Sequence, residues 1–239
     1  MFGILQNKIE YPIHQLLGFR FEDLTFKSLW RVTNGYKLIF VSELFTESTS
    51  KLSISLRENG ADRKTSIYLL AKLKIELEDL LKNHGIHAGI AYSLTYRLNE
   101  EDLTTIKTDI EELNSLNNRY LFFDSRAALK AEDIKDIIFD LQMKSLQPII
   151  VFPEFNSYWN NHRGRLERLF TRGVMFQINW LSLTGFHGKD AQYTARYLLE
   201  RKAVKFIGFE NENLGQLFSK NGVKIPKRCA DLLEEQLFV

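Results

Sequence analysis

The strongest constraint on the fold is the alternation of short β-branched or aromatic runs with longer amphipathic stretches along the chain. Six runs predict strands, at Tyr36–Ser42, Gly89–Leu98, Tyr120–Asp124, Pro148–Phe152, Val174–Trp180 and Val204–Phe209. The fourth and the sixth are nearly uninterrupted apolar runs, which are typical of parallel strands covered on both faces. The pattern therefore predicts βα units arranged around a parallel sheet.

The stretches between these runs predict helices at Thr65–Asn83, Glu132–Ser145, Arg163–Arg172, Lys189–Lys202 and Lys227–Leu237. Five leucines share one face of the first helix, at positions Leu69, Leu73, Leu77, Leu80 and Leu81. Gly85 follows that helix as a stop. The segment Phe45–Asp62 is polar and rich in turn residues, so it predicts a long surface loop.

A chain of 239 residues fits one domain, and we expect residues 1–239 to form it. The element order predicts the α/β class. A single β/α barrel of the distorted TIM type is favoured over an open doubly wound sheet, although periodicity alone leaves both open.

Composition limits the compartment and the partners. Cys229 is the only cysteine, which excludes an intramolecular disulfide and agrees with a reducing cytoplasm. The chain has no apolar run of the roughly 18–20 residues that cross a membrane, and its start lacks the pattern of a signal peptide. The net charge of +2 is spread along the chain without a basic block, so nucleic-acid binding is not expected.

Two segments resemble a known family. QPIIVFPEF at Gln147–Phe155 is similar to "GYxPIxAHPERY", and RGVMFQINWLSLTG at Arg172–Gly185 is similar to "RGVxFQINxxSLTG". Both motifs belong to the PHP-superfamily tyrosine phosphatases of capsule and exopolysaccharide operons, the CpsB/CapC type. The resemblance implies a PHP-type barrel in which His, Asp and Glu side chains at the strand ends bind two or three divalent ions.

The resemblance also indicates what stands at the family's ligand positions in this chain. Against "DxHSH", Ile13 and Gln15 occupy the two histidine positions. Against "TTPH", Glu43 replaces a histidine, and against "AEYxLDE", Thr95 replaces the bridging glutamate. The N-terminal ligand set is therefore expected to be altered.

The later motifs differ from the family as well. In the "AHPERY" match, Phe152 replaces the histidine and Phe155 the arginine that faces phosphate, while Glu154 is kept. In the "GTDxHN" match, Glu210 replaces the aspartate and Glu212 the last histidine. A glutamate can bind an ion, whereas a phenyl ring has no lone pair to donate. Any remaining metal would use Glu43, Glu210 and Glu212.

These replacements predict a degenerate relative, namely a pseudophosphatase or regulatory binding protein without a cofactor. Its expected partner is a phosphotyrosine-bearing protein or a component of polysaccharide export, and its oligomeric state is open. The alternative is an active phosphoester hydrolase whose carboxylate-rich site binds Mn or Mg. A third reading is a metal-free hydrolase that uses Glu154 and Glu210 as an acid–base pair.

Structural roles are expected for two further groups of residues. Gln177, Asn179 and Ser182 lie in the matched family segment, and we expect them to pair with backbone groups near a strand end. The run Tyr158–Arg168 mixes aromatic residues with arginines; a solvated helix face with Leu166 and Leu169 inward is favoured there over an anion-binding surface.

Overall fold

A closed barrel of seven strands forms the centre of the molecule. The computed structural model describes residues 8–10, 38–43, 52–57, 63–85, 87, 89–97, 106, 115–116, 119–126, 135–210 and 224–237. The barrel strands are β2 (Leu38–Glu43), β3 (Leu52–Arg57), β4 (Ala91–Arg97), β5 (Tyr120–Asp124), β6 (Gln147–Val151), β7 (Met175–Asn179) and β8 (Val204–Glu210). The predicted α/β class and the barrel are confirmed.

The strands from β3 to β8 run parallel to their neighbours, whereas β2 runs antiparallel to both β3 and β8 and closes the barrel. Outside the barrel, β1 (Lys8–Glu10) pairs with β9 (Lys224–Pro226). The sequence did not predict β1 or β9, because three-residue strands are too short to carry a periodic pattern.

All six predicted strands are confirmed, with ends that shift by at most two residues. The prediction that Phe45–Asp62 is one long surface loop is wrong, because β3 lies inside that segment. Its apolar side chains alternate, with Ile54 and Leu56 in the core that faces the helices and Ser55 inside the barrel. Because the inner face of β3 is polar, its sequence does not differ clearly from that of the polar residues around it.

Seven α-helices are present in the described residues: α1 (Arg63–Asn83), α2 (Lys135–Met143), α3 (Ser157–Asn161), α4 (Arg163–Phe170), α5 (Trp180–Thr184), α6 (Lys189–Glu200) and α7 (Lys227–Leu237). Five of them confirm the predicted helices. Leu73 and Leu77 of α1, Leu166 and Leu169 of α4, and Leu198 of α6 are buried, as their spacing predicts. None of the helices in this part of the chain is long and apolar enough to span a membrane.

The barrel interior is filled by its own cluster of aromatic and aliphatic side chains, separate from the core under the helices. The Phe206 ring lies 5.0 Å from the Tyr120 ring and 5.1 Å from the Phe122 ring, measured between centroids. Ile39, Ile149 and Val151 complete the packing. The interior is thus a packed core, and a site can form only at one of its ends.

Close packing at Gly208 gives a first prediction. A Cβ at Gly208 would lie 2.5 Å from the carbonyl oxygen of Phe40 and closer still to the Gln177 amide. We therefore expect Gly208→Ala to lower the free energy of unfolding by roughly 1–3 kcal/mol, measured by urea denaturation. Gly164→Ala is the matched control, since nothing lies within 4 Å of a Cβ there. Equal stability of the two variants would contradict the prediction.

Candidate functional site

The candidate site lies at the carboxyl ends of the parallel strands, which we call the mouth. β/α barrels build their sites at this end, because the loops that leave the strands converge there. The mouth brings together Asp124 at the end of β5, Arg126 just after it, the turn from Phe152 to Phe155 after β6, Asn179 at the end of β7 and Glu210 at the end of β8.

A tight turn carries the chain from β6 into a 3₁₀ helix (Pro153–Phe155). Phe152 adopts a left-handed conformation there, with φ of 51° and ψ of 53°. This conformation is unfavourable for a residue other than glycine, so neighbouring contacts must hold it. The Phe152 N–H donates to the Gln177 carbonyl at 2.8 Å, and its carbonyl accepts from the Ser125 hydroxyl at 2.7 Å.

The Phe152 side chain is completely buried in the cluster that fills the barrel interior. Its ring lies 5.3 Å from the Phe155 ring, between centroids. Phe155 is half-buried and contacts His187, with 4.6 Å between their ring centroids. The space below the mouth is therefore occupied by aromatic side chains.

Glu154 is the most unusual ionisable group of the mouth. Its Oε1 accepts hydrogen bonds from the Asn179 N–H at 2.6 Å and from the Ser182 hydroxyl at 3.0 Å. Its buried Oε2 accepts none from the described residues. Burial, with a smaller contribution from the negative charge of Glu210, raises the pKa of Glu154 to about 7. Glu154 can therefore exchange a proton near neutral pH.

The three polar residues of the matched family segment have different partners. The Asn179 side chain accepts from the Leu181 N–H at 2.9 Å and caps α5, which confirms the expected backbone pairing. Ser182 instead bonds the Glu154 carboxylate. The prediction is wrong for Gln177, whose buried side-chain amide has no hydrogen-bond partner among the described residues and packs against Gly208.

Arg126 connects two strand ends across the mouth. Its Nη2 donates to Glu210 Oε1 at 2.7 Å, and its Nε lies 3.3 Å from Asp124 Oδ1. The Arg126 backbone N–H also donates to Asp124 Oδ1, at 3.0 Å. The guanidinium lies 6.0 Å from the centroid of the Phe155 ring, near the limit for a cation–π contact.

His187 completes the aromatic side of the mouth. Its ring lies between those of Phe155 and Phe186, with centroid distances of 4.6 Å and 5.0 Å. Burial lowers the pKa of His187, and the negative charge of Glu210 opposes this effect. The imidazole is therefore expected to be neutral at pH 7.

Two of the other residues expected at the site, Thr95 and Glu43, are located by the strands that carry them. Thr95 lies inside β4, where its hydroxyl is 2.6 Å from that of Ser55. Glu43 pairs with Phe206, four residues before Glu210 on β8, which corresponds to about 13 Å along a strand. The backbone register therefore does not bring Glu43 and Glu210 together. Ile13, Gln15 and Glu212 lie outside the described residues.

Asp124, Ser125 and Arg126 were not expected at the site. A signal for them exists, because this polar triplet begins at the last residue of the buried strand β5, and the ends of parallel strands meet at one edge. None of the matched family motifs covers this triplet, so the resemblance does not point to it.

The donor set of the described mouth does not fit a cluster of divalent ions. Phe152 has no lone pair, and the Glu210 carboxylate bonds a guanidinium. Among the described residues, no three His, Cys, Asp or Glu side chains are grouped so that they could hold an ion. The Glu154 carboxyl, with its pKa raised to about 7, and the Arg126 cation can support hydrogen bonding and charge recognition at this surface.

Comparisons with known proteins agree with the barrel. Residues 60–236 match the family described as capsular polysaccharide synthesis, CpsB/CapC. The tyrosine-protein phosphatase YwqE of Bacillus subtilis (strain 168) is 27% identical over 104 residues, which cover 43% of this chain and 41% of that protein. The aligned part is thus about two fifths of the relative's length.

A solved structure is also similar. It comes from work on YwqE from Bacillus subtilis and CpsB from Streptococcus pneumoniae, described as unique metal-dependent tyrosine phosphatases. It aligns with a TM-score of 0.54 and 21% identity, over 77% of this chain and 78% of the other. At this identity the likeness establishes a shared fold, while activity is a separate question.

Proposed function

Because the chain belongs to the CpsB/CapC family of capsular polysaccharide synthesis, we propose that it is a non-catalytic relative of metal-dependent tyrosine phosphatases and acts by binding. It is a pseudophosphatase or regulatory binding protein, built as a single PHP-type, TIM-like barrel domain that works in the cytoplasm without a cofactor. Its partner is a phosphotyrosine-bearing protein or a component of polysaccharide export.

The observation that carries this proposal is the burial of Phe152. In the resemblance to the family, this position holds a ligand histidine. Here the phenyl ring is fully buried in the barrel interior and packs against Phe155, which stands at the position of the phosphate-facing arginine. A ring in that place removes a ligand and fills part of the space that an ion and its water would need.

The test is hydrolysis of p-nitrophenyl phosphate by purified protein in the presence of added Mn²⁺. We expect no turnover above the rate without protein, under conditions in which YwqE serves as the positive control. The proposal is abandoned if the protein hydrolyses the substrate and Glu210→Ala abolishes that activity. Activity that survives in Glu210→Ala points to a contaminating phosphatase, and such a sample then needs further purification before the result counts.

The alternative is an active phosphoester hydrolase with a carboxylate-rich site that takes Mn or Mg. The observation in its favour is the pair of acids at the mouth, since Glu154 has a pKa raised to about 7 and senses the charge of Glu210. The same pair supports metal-free acid–base catalysis more weakly. Elemental analysis separates the candidates, because the metal-dependent hydrolase requires stoichiometric Mn or Mg in active protein.

A further inference from the structure

Positive charge is concentrated on three neighbouring helices, α3, α4 and α6. Residues 157–202, which span them, contain eight lysines and arginines but three acids, a formal charge of +5. The whole chain has a net charge of +2, so the other residues together carry −3. The 16 residues from 173 to 188 carry no formal charge and divide these cations into two groups, which is why the sequence shows no basic block. An uneven charge of this kind favours an anionic partner.

Side-chain contacts join α4 and α6 into one surface. The Arg163 Nε donates to the Thr194 hydroxyl at 3.0 Å. Glu167 accepts from the Tyr197 hydroxyl at 2.9 Å and pairs with Arg201, whose Nε lies 3.4 Å from Glu167 Oε1. The sequence alone favoured a solvated face on α4, because these contacts with α6 depend on the fold. We call the surface formed by Arg163, Glu167, Tyr193, Arg196, Tyr197 and Arg201 the arginine surface.

The Tyr193 ring holds two arginines of this surface, although the residue is 48% exposed. The guanidinium carbon of Arg163 lies 4.3 Å from the ring centroid and that of Arg196 lies 5.4 Å from it, both within the roughly 6 Å of a cation–π contact. A planar guanidinium held against an aromatic ring is pre-organised, so it loses less side-chain freedom when it binds a ligand. The surface thus presents arginines in fixed positions beside an exposed ring.

Arg163 is the arginine of this surface whose charge is available to a ligand. Arg196 shares the Glu200 carboxylate with Arg228, at distances of 3.7 Å and 3.0 Å. By contrast, no carboxylate among the described residues pairs with Arg163, and its one side-chain hydrogen bond to them uses Nε. Both Nη groups can therefore donate to an anion. A phosphate monoester suits them, because it has three acceptor oxygens and nearly two negative charges.

We propose that the arginine surface binds the phosphotyrosine of a partner protein. The Nη groups of Arg163 donate to the phosphate, and the exposed ring of Tyr193 packs against the phosphotyrosine ring. The inference rests on the proposed function, because a protein that acts by binding needs a surface for its phosphotyrosine-bearing partner. It locates that contact beside the mouth, where α6 packs against the 3₁₀ helix, and not inside the barrel, which aromatic side chains fill.

The test is fluorescence anisotropy of the full chain with a fluorescein-labelled peptide in which one phosphotyrosine is flanked by two glutamates on each side. We expect saturable binding. The same peptide with unphosphorylated tyrosine should bind at least about tenfold more weakly, because a charge-assisted hydrogen bond is lost. The phosphoserine peptide should bind about fivefold more weakly, because it has no ring to pack against Tyr193.

Variants of Arg163 locate the contact. Arg163→Met keeps an unbranched side chain beside Tyr193 and removes the charge, so it should weaken binding of the phosphotyrosine peptide at least about tenfold. Arg163→Lys keeps the charge without the guanidinium fork, and about a fivefold loss is expected. Arg119→Met is the matched control and should bind like the wild type. Arg119 also lies against a tyrosine ring, 5.2 Å from the centroid of Tyr120, but it precedes β5 at the opposite end of the barrel.

Circular dichroism confirms that each variant is folded, and Arg163→Lys decides the question if Arg163→Met is not. The inference is overturned if the wild type does not bind the phosphotyrosine peptide, or if a folded Arg163 variant binds it like the wild type. Equal weakening in Arg119→Met, or equal affinity for the unphosphorylated or the phosphoserine peptide, would overturn it as well.

Failure of the proposed function gives a different result, namely release of inorganic phosphate from the peptide by the wild type. The phosphonodifluoromethyl analogue of phosphotyrosine resists hydrolysis, so the same comparison of Arg163 variants can then be made with it. Loss of affinity in Arg163→Met would uphold the arginine surface in that case. Unchanged affinity without phosphate release would overturn the arginine surface alone.

Discussion

Phe152→Ala is expected to lower the free energy of unfolding by about 3–5 kcal/mol, the range observed when a fully buried phenylalanine is truncated. The ring is completely buried and belongs to the cluster that fills the barrel interior. Its removal would leave a cavity, because β strands pack around it and cannot collapse freely. Alanine would keep the left-handed backbone strained, so the substitution brings no compensating relief.

Urea denaturation, monitored by circular dichroism, measures this loss. Phe186→Ala is the matched control, since that ring is 52% exposed and its truncation should change the free energy of unfolding by no more than about 1 kcal/mol. If both variants are equally stable, Phe152 does not pack the interior, and the space beneath the mouth is available for other occupants.

Glu154 should make the wild-type protein less stable as the pH rises from 5 to 8. Its pKa is raised in the folded state, from 4.5 to about 7, so the folded chain holds a proton that the unfolded chain has already released. Below pH 4.5 both states are protonated and the group has no effect. Between pH 4.5 and 7 the free energy of unfolding falls by roughly 3 kcal/mol in total, because each pH unit in this window lowers it by about 1.4 kcal/mol.

Glu154→Gln removes this dependence, because the amide oxygen can still accept from Asn179 and Ser182 and no longer titrates. Urea denaturation at pH 5 and pH 8 should give a fall in the wild type that exceeds the fall in Glu154→Gln by about 2.5 kcal/mol, since part of the total loss occurs below pH 5. Glu234→Gln, at an exposed position on α7, should keep the wild-type pH profile. Identical profiles for the wild type and Glu154→Gln would contradict the account of this carboxyl.

The sequence predicts most of the barrel because apolar residues recur with different periods in its strands and in its helices. The strands from β4 to β8 are apolar on the face that meets the helices, and they were all found. β3 was missed because its inward face carries Ser55, which bonds Thr95 instead of packing in an apolar layer. That bond joins side chains 40 positions apart, so local sequence could not reveal it.

The site was predicted in part. The motif match placed Phe152, Glu154 and Glu210 at strand ends, and the structure brings Glu154 and Glu210 to the same mouth. The pairing of Arg126 with Glu210 depends on which strands are neighbours and on their register, so it could not be read from residues 84 positions apart. The position of Glu43 likewise depends on the antiparallel pairing of β2 with β8, which separates Glu43 from Glu210.

We propose that side chains of this protein occupy the space that bound metal would need at the mouth. Anomalous diffraction at the Mn absorption edge, from crystals soaked in MnCl₂, tests it most directly. We predict that no anomalous peak lies among Phe152, Glu154 and Glu210, and that the Arg126 guanidinium remains bonded to Glu210. One or more peaks at that mouth, with Glu210 turned from Arg126 to coordinate an ion, would contradict the claim and identify a working metal centre.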